Sequence, residues 1–199
     1  MRSMTAPGAP GRCPRCLLLV DFCLCALVGA GHESRPGVLI VRHHWEAFKS
    51  TGTARLASLA LSNLRILDMA AENPAPVRQV LAELEDAWLL YPAGAAEMPR
   101  RAKPPQTLLV LDGTWRQTRK MLRRLPELAR FPRCSLAAAA GDQDRDRLRA
   151  PPRPGARSTL ESIADALGEL DSRECGQRLL DLHRAFVERT REARGQKDF

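Results

Sequence analysis

The chain has 199 residues, 44% of them hydrophobic, and a formal net charge of +8. That length supports one sizeable domain with a small appendage, and with no apolar run of membrane-spanning length no helix is expected to cross a bilayer. The basic excess points to an anionic partner and is concentrated: between Arg100 and Arg133 ten Lys/Arg residues stand against only Asp112 and Glu127.

In chain order, residues 1–11 are rich in Pro and Gly and are expected to be disordered. A cysteine-rich module follows over 12–31, where Cys13, Cys16, Cys23 and Cys25 form the pattern C-x2-C-x6-C-x-C. Four thiolates so close in sequence can close a tetrahedral zinc site, which is structural when protein fills every position. The x6 spacing is shorter than in ordinary zinc ribbons, and scattered core or redox cysteines are the alternative. Arg12 and Arg15 ahead of Leu17–Val20 imitate a secretory signal, but Asp21 interrupts the apolar segment and the cysteines crowd it. A cytoplasmic protein with reduced thiols is therefore expected. Cys134 and Cys175 stand alone and read as small buried hydrophobes.

Residues 32–199 read as one domain. Strands are expected at Val38–Val41, Arg65–Leu67, Ala87–Tyr91, Thr107–Leu111 and Arg133–Leu136. Between them, helical spacing marks Thr53–Leu61, Ala75–Leu84 and the segment from Arg116, with a short turn starting at Pro126. Ala93–Gln106 and Ala137–Gly155 read as loops, and helices over Thr159–Leu170 and about Glu174–Glu192 close the chain. Strands alternating with helices predict an α/β fold with a mainly parallel sheet.

The most informative element is Thr107–Leu111 with Asp112-Gly113-Thr114-Trp115 behind it. A short uninterrupted apolar run closed by Gly reads as a strand buried on both faces. Asp112, Thr114 and Trp115 then fall at the carboxyl edge of the sheet, where open α/β folds bind ligands. Asp112 or Thr114 as a helix cap, and Trp115 as core, are the simpler alternatives. The helix behind them carries Arg116, Arg119, Lys120, Arg123 and Arg124, an arrangement suited to nucleic-acid phosphates or to a merely solvated face.

Ser158-Thr159-Leu160-Glu161 spells a capping box, and the apolar spacing after it supports a helix start. His43, His44 and Glu46 follow the first strand but lack a His pair four apart, which argues against a metal. His183 lies on the apolar side of the last helix and reads as structural. Asp142, Asp144 and Asp146 imitate a calcium loop, without the required Gly or closing Glu. Neither G-x-G-x-x-G nor a GK[ST] phosphate loop is present.

Taken in order, these motifs resemble the DTW-domain family, named for the Asp-x-x-Trp element seen here as Asp112–Trp115. The cysteines resemble that family's N-terminal module. Val38–Glu46 with Lys49–Leu56, Arg55 included, is similar to its H-P-x-E…N-T-[AG]-R-L block; Leu90-Tyr91-Pro92 is similar to its L-[FY]-P loop, and Ser158–Glu161 to its S-T-L-E segment. The chain departs from the pattern at His44, at Gly52, and at Arg145–Arg149, which lacks a Tyr before its final Arg.

The resemblance implies a SPOUT-like domain with a trefoil knot and S-adenosylmethionine as donor. It implies transfer of a 3-amino-3-carboxypropyl group to N3 of a tRNA uridine. Leu90, Tyr91, Pro92, Asp112, Gly113, Thr114, Ser158, Thr159 and Glu161 would then line the cofactor site. Asp112 and Trp115 would be catalytic, while Arg55, Arg116, Arg119, Lys120, Arg123, Arg124 and Arg149 would face RNA. An RNA methyltransferase and a non-enzymatic zinc-bearing RNA-binding module are the competing expectations.

Overall fold

In the computed structural model, the described residues are 10–92, 96–97, 103–136, 148 and 156–195. Arg149 and the Asp142–Asp146 stretch lie outside them. Of the N-terminal segment expected to be disordered only Pro10 and Gly11 are described, and Gly11 O accepts from Val20 N at 3.0 Å.

Six strands lie among the described residues: β1 (Gly37–His43), β2 (Leu64–Met69), β3 (Ala87–Leu90), β4 (Ala96–Glu97), β5 (Thr107–Asp112) and β6 (Arg133–Ser135). They form one sheet in the order β2-β1-β5-β3-β6-β4, and every pairing is parallel. The helices are α1 (Cys25–Val28), α2 (His44–Ala47), α3 (Thr53–Ala60), α4 (Ala75–Glu83), α5 (Trp115–Arg124), α6 (Thr159–Leu170) and α7 (Arg173–Ala193), with 3-10 turns at Val20–Phe22 and Pro126–Arg130. The α/β class and the parallel sheet are as the sequence predicts. β4 falls inside a segment expected to be loop, and α2 was not anticipated, because two and four residues are too few to display a period. The expected knot is a property of the whole chain path, which passes through residues outside the described set.

Alternation along the strands divides the interior into two layers. Val38 and Ile40 of β1 and Leu108 and Val110 of β5 pack on one face with α3, α6 and α7; Leu39, Val41, Leu109 and Leu111 pack on the other with α4 and α5. Such two-sided burial explains the unbroken apolar runs of the central strands. The same alternation sends Asp112 and Arg42 toward α6 and His43 toward α5. Side-chain direction at the carboxyl edge is thus fixed by the core pattern behind it.

Cys16, Leu18 and Leu24 of the cysteine module belong to the α6/α7-side core, together with Leu56, Leu61 and Phe186. α6 and α7 form a close helical hairpin at two glycines. A Cβ on Gly176 would stand 2.6 Å from Ala164 O and 2.9 Å from Gly168 Cα, both backbone atoms that cannot rotate away. Gly176→Ala is therefore expected to destabilise the fold by about 1–3 kcal/mol through forced separation of the helices. Chemical denaturation checks this, and an unchanged midpoint would show that the helices part freely. Among the described residues, no helix is long and apolar enough to cross a membrane.

Candidate active site and cysteine centre

Asp112 ends β5 opposite Arg42 of β1 and is only 7% exposed. Thr159 Oγ1 donates to its Oδ1 at 2.5 Å, while Oδ2 has no hydrogen-bond partner among the described residues. Burial pushes the Asp112 pKa above the ordinary carboxylate range; Thr159, Arg42 and Lys49 oppose that rise and Glu46 adds to it. Arg42 itself is engaged bidentately by Asp68, at 2.6 and 2.9 Å. Beside it, Lys49 Nζ donates to both Glu46 carboxylate oxygens at 2.5 Å.

The starts of three helices meet this edge. Thr114 caps α5 in a reciprocal box: its Oγ1 accepts from Gln117 N at 3.3 Å, and Gln117 Oε1 accepts from Thr114 N at 2.6 Å. Ser158 and Glu161 do the same for α6, at 3.2 and 2.7 Å. Thr53, the first residue of α3, accepts from Leu160 N at 3.3 Å and ties α3 to α6. α3, α5 and α6 thus all begin near this edge, and Thr159 in the first turn of α6 is the group that reaches the Asp112 carboxylate. His43 Nδ1 accepts from Trp45 N at 3.3 Å and lies 3.3 Å from Gln117 Nε2. A nitrogen that accepts a backbone N–H carries no proton, so the neutral ring bears its hydrogen on Nε2. Burial, helped by His44, holds the His43 pKa down and favours that neutral form.

Gly113 leaves bare backbone at the turn, since a Cβ there would come 3.2 Å from Gln117 Cβ and 3.5 Å from His43 Cβ. On the β3 side, Leu90 pairs with Val110, Tyr91 is buried, and Pro92 is exposed. Tyr91 meets Trp115 edge to face with ring centroids 6.1 Å apart, and Trp115 remains 38% exposed. Along α5, Thr118 and Met121 point inward while Arg116, Arg119, Lys120 and Arg123 are exposed and Arg124 is half-buried.

The cysteine centre is formed by the N-terminal module. Cys13 and Cys25 sulfurs are 3.6 Å apart, those of Cys16 and Cys23 3.8 Å, and all four fall within 4.8 Å of one another without a disulfide. Sulfurs at about 2.3 Å from one tetrahedral zinc would stand about 3.8 Å from each other. Backbone N–H groups, that of Cys16 foremost, hold the Cys13 thiol down to about 6, whereas burial and then the neighbouring sulfurs push Cys25 up to about 12. One thiolate forms readily there, and four together require a cation among them. The donor set and its spacing fit a metal ion.

A family profile described as DTW domain matches residues 11–191. The chain belongs to the DTW-domain family. It is 29% identical over 181 residues to a Drosophila melanogaster protein named tRNA-uridine aminocarboxypropyltransferase 2, a match covering 86% of this chain and 71% of that protein. No solved structure matches.

In this DTW domain the Asp-x-x-Trp element divides its labour. Thr114 is the helix cap, Asp112 is a buried carboxylate held by another helix, and Trp115 is a partly exposed ring. Ser158, Thr159, Gly113, Leu90, Tyr91 and Pro92 all stand at the carboxyl edge near Asp112. The Glu161 carboxylate, 1% exposed, serves the α6 cap and lies 4.0 Å from His183 Nε2. Arg55 is placed differently from the α5 cations: its guanidinium donates to Ala47 O at 2.6 Å and Lys49 O at 3.4 Å, bracing the loop that leads into α3.

Sequence reasoning missed Thr53, Gln117 and the part played by His43. Thr114-x-x-Gln117 spells the same kind of box as Ser158-x-x-Glu161 and was legible by the same rule. The Thr53–Leu160 and Thr159–Asp112 contacts had no local signal.

Proposed function

We propose that this DTW domain transfers the 3-amino-3-carboxypropyl group of S-adenosylmethionine to N3 of a uridine in tRNA, releasing methylthioadenosine, with a structural zinc in the cysteine centre. The observation that carries the reading is the buried Asp112 carboxylate, held by Thr159 at the carboxyl edge of the central strand and adjoining the basic α5 helix. The tRNA-uridine aminocarboxypropyltransferase relative supports the choice of group and acceptor.

When bound, the donor supplies an electron-poor carbon beside a sulfonium that leaves without being protonated. The protein's task is then orientation and removal of one proton. Thr159 fixes Oδ1 of Asp112, so the free Oδ2 can take the N3 proton as the new N–C bond forms. A carboxylate with a raised pKa is a stronger base toward the weakly acidic imide than an ordinary Asp. Gly113 backbone, the Leu90–Pro92 corner and the Ser158–Thr159 turn would line the donor's pocket, with Trp115 and Tyr91 as an aromatic wall. Cys13, Cys16, Cys23 and Cys25 would hold the zinc, which closes the N-terminal module and takes no part in transfer.

The test is incubation with S-adenosylmethionine and unmodified tRNA, followed by mass spectrometry of the nucleosides and the small-molecule product. Aminocarboxypropyl-uridine with methylthioadenosine is expected; a methylated base with S-adenosylhomocysteine, or no product, would overturn the reading.

Exposed α5 cations would hold phosphates. Substituting Arg119 and Arg123 together by Ala is expected to weaken tRNA binding and lower the slope of log K against log salt by about two, roughly one per phosphate contact. A slope equal to that of the parent would remove these residues from the RNA face.

A further inference from the structure

Beside the Asp112 edge stands a ladder of rings that the transfer chemistry does not use. The His43 and His44 rings stack with centroids 4.4 Å apart and planes 26° from parallel. His44 in turn meets Trp45 at 5.0 Å and 43°. The inner end is anchored, because His43 Nδ1 accepts from Trp45 N and adjoins Gln117 in the first turn of α5. His44 Nδ1 is buried with no hydrogen-bond partner among the described residues, so that ring is held by its stacking neighbours. The outer end is open: Trp45 is 53% exposed, and Phe48 on the same short segment is 40% exposed.

The surroundings define the occupant. Through Gln117 the ladder adjoins α5, whose Arg116, Arg119, Lys120 and Arg123 are exposed, while on its own segment the Glu46 carboxylate is already paired with Lys49. Phe48 extends the ring surface beside Trp45, and the exposed cations of the adjoining α5 suit phosphates. Paired bases in a duplex stack on one another and offer no free face, whereas an unpaired base offers its π-face to an aromatic ring next to a backbone that Lys can hold.

We propose that Trp45, backed by His44 and His43, is a stacking subsite for one unpaired base of the RNA next to the reacting uridine. The proposal rests on the RNA-modifying reading above. Stacking of this kind tolerates any base identity, so the subsite sets position along the strand, not sequence.

The test uses the full chain labelled with 5-fluorotryptophan, whose Trp45, Trp88 and Trp115 signals are assigned by single Trp→Phe substitutions. The labelled protein is titrated with a stem-loop RNA carrying an unpaired uridine loop, and separately with a blunt duplex of the same stem. The Trp45 resonance should shift with the stem-loop and not with the duplex. Trp45→Ala should weaken stem-loop binding about tenfold, leave the salt slope and duplex binding unchanged, and keep the melting temperature; Trp45→Phe should restore most of the affinity. A silent Trp45 signal on saturation, or a Trp45→Ala variant that binds the stem-loop as the parent does, would overturn the subsite. Absence of any RNA binding by the parent would overturn the subsite and the RNA-modifying reading together. Stem-loop binding through Trp45 without group transfer to tRNA would uphold the subsite and overturn the transfer reading alone.

Discussion

Asp112→Asn is expected to lower uridine modification by about 10²–10⁴-fold, the usual contribution of a positioned general base, while leaving tRNA affinity and its salt dependence in place. Near-parental turnover in that variant would remove Asp112 from proton transfer. The same substitution makes an opposite prediction for stability. A carboxyl whose folded pKa lies above its unfolded value binds its proton more tightly in the native state. Its contribution is full below the unfolded pKa and is lost as pH rises through the folded pKa. Above its folded pKa the ionised Asp112 therefore weighs against folding, and in that pH range Asp112→Asn should melt at a higher temperature than the parent. The pH profile carries a third signature. Activity should fall on the acid side at a pH above the ordinary carboxylate range, because burial raises the Asp112 pKa. Thr159→Val removes the hydrogen bond that opposes this rise, so its acid limb should move further up. An acid limb that does not respond to Thr159→Val would show that another group sets it.

The second large effect concerns the cysteine centre. Cys16→Ser is expected to take the zinc content from one ion per chain to near zero, measured by elemental analysis of the purified protein. The loss should spread beyond the module, because Cys16, Leu18 and Leu24 pack in the same core as Leu61 and Phe186. A destabilisation of about 4 kcal/mol or more is in the range for losing a structural metal. Cys134→Ser is the control: that thiol is also buried, but it faces Leu89 O at 3.7 Å and lies outside the four-sulfur group. Full zinc content in the Cys16→Ser variant would sink the assignment.

Much of the fold was legible because its signals are local. Thr107–Leu111 is a continuous apolar run, and it became the central strand. Thr159–Leu170 was delimited at its first residue by the Ser158 box. Where signals need length, reading failed: β4, with two residues, and α2, with four, are too short to repeat a period. The site was legible as an edge and not as a set of contacts. The apolar run was enough to put Asp112 at the carboxyl edge, but meeting Thr159 depends on where α6 docks, a matter of packing between segments 47 residues apart. The Thr53–Leu160 bond spans 107 residues and is likewise invisible to any window. Arg55 was grouped with the RNA-facing cations by motif; its bonds to Ala47 O and Lys49 O follow from the loop ahead of α3, which no spacing rule describes.

The strand order carries a consequence for how the chain reaches its native state. β1 finds β2 soon after it in sequence, but its other neighbour is β5, so Ile40 must remain unpaired on that side until Val110 has been made. Until β5 has been synthesised, the β1 edge that it covers has no native partner. Pairings so distant in sequence make parallel sheets slow to assemble and leave sticky edges open meanwhile. For this protein the vulnerable interval lies between synthesis of β2 and of β5, and slow or interrupted translation across that interval is where aggregation should compete with folding.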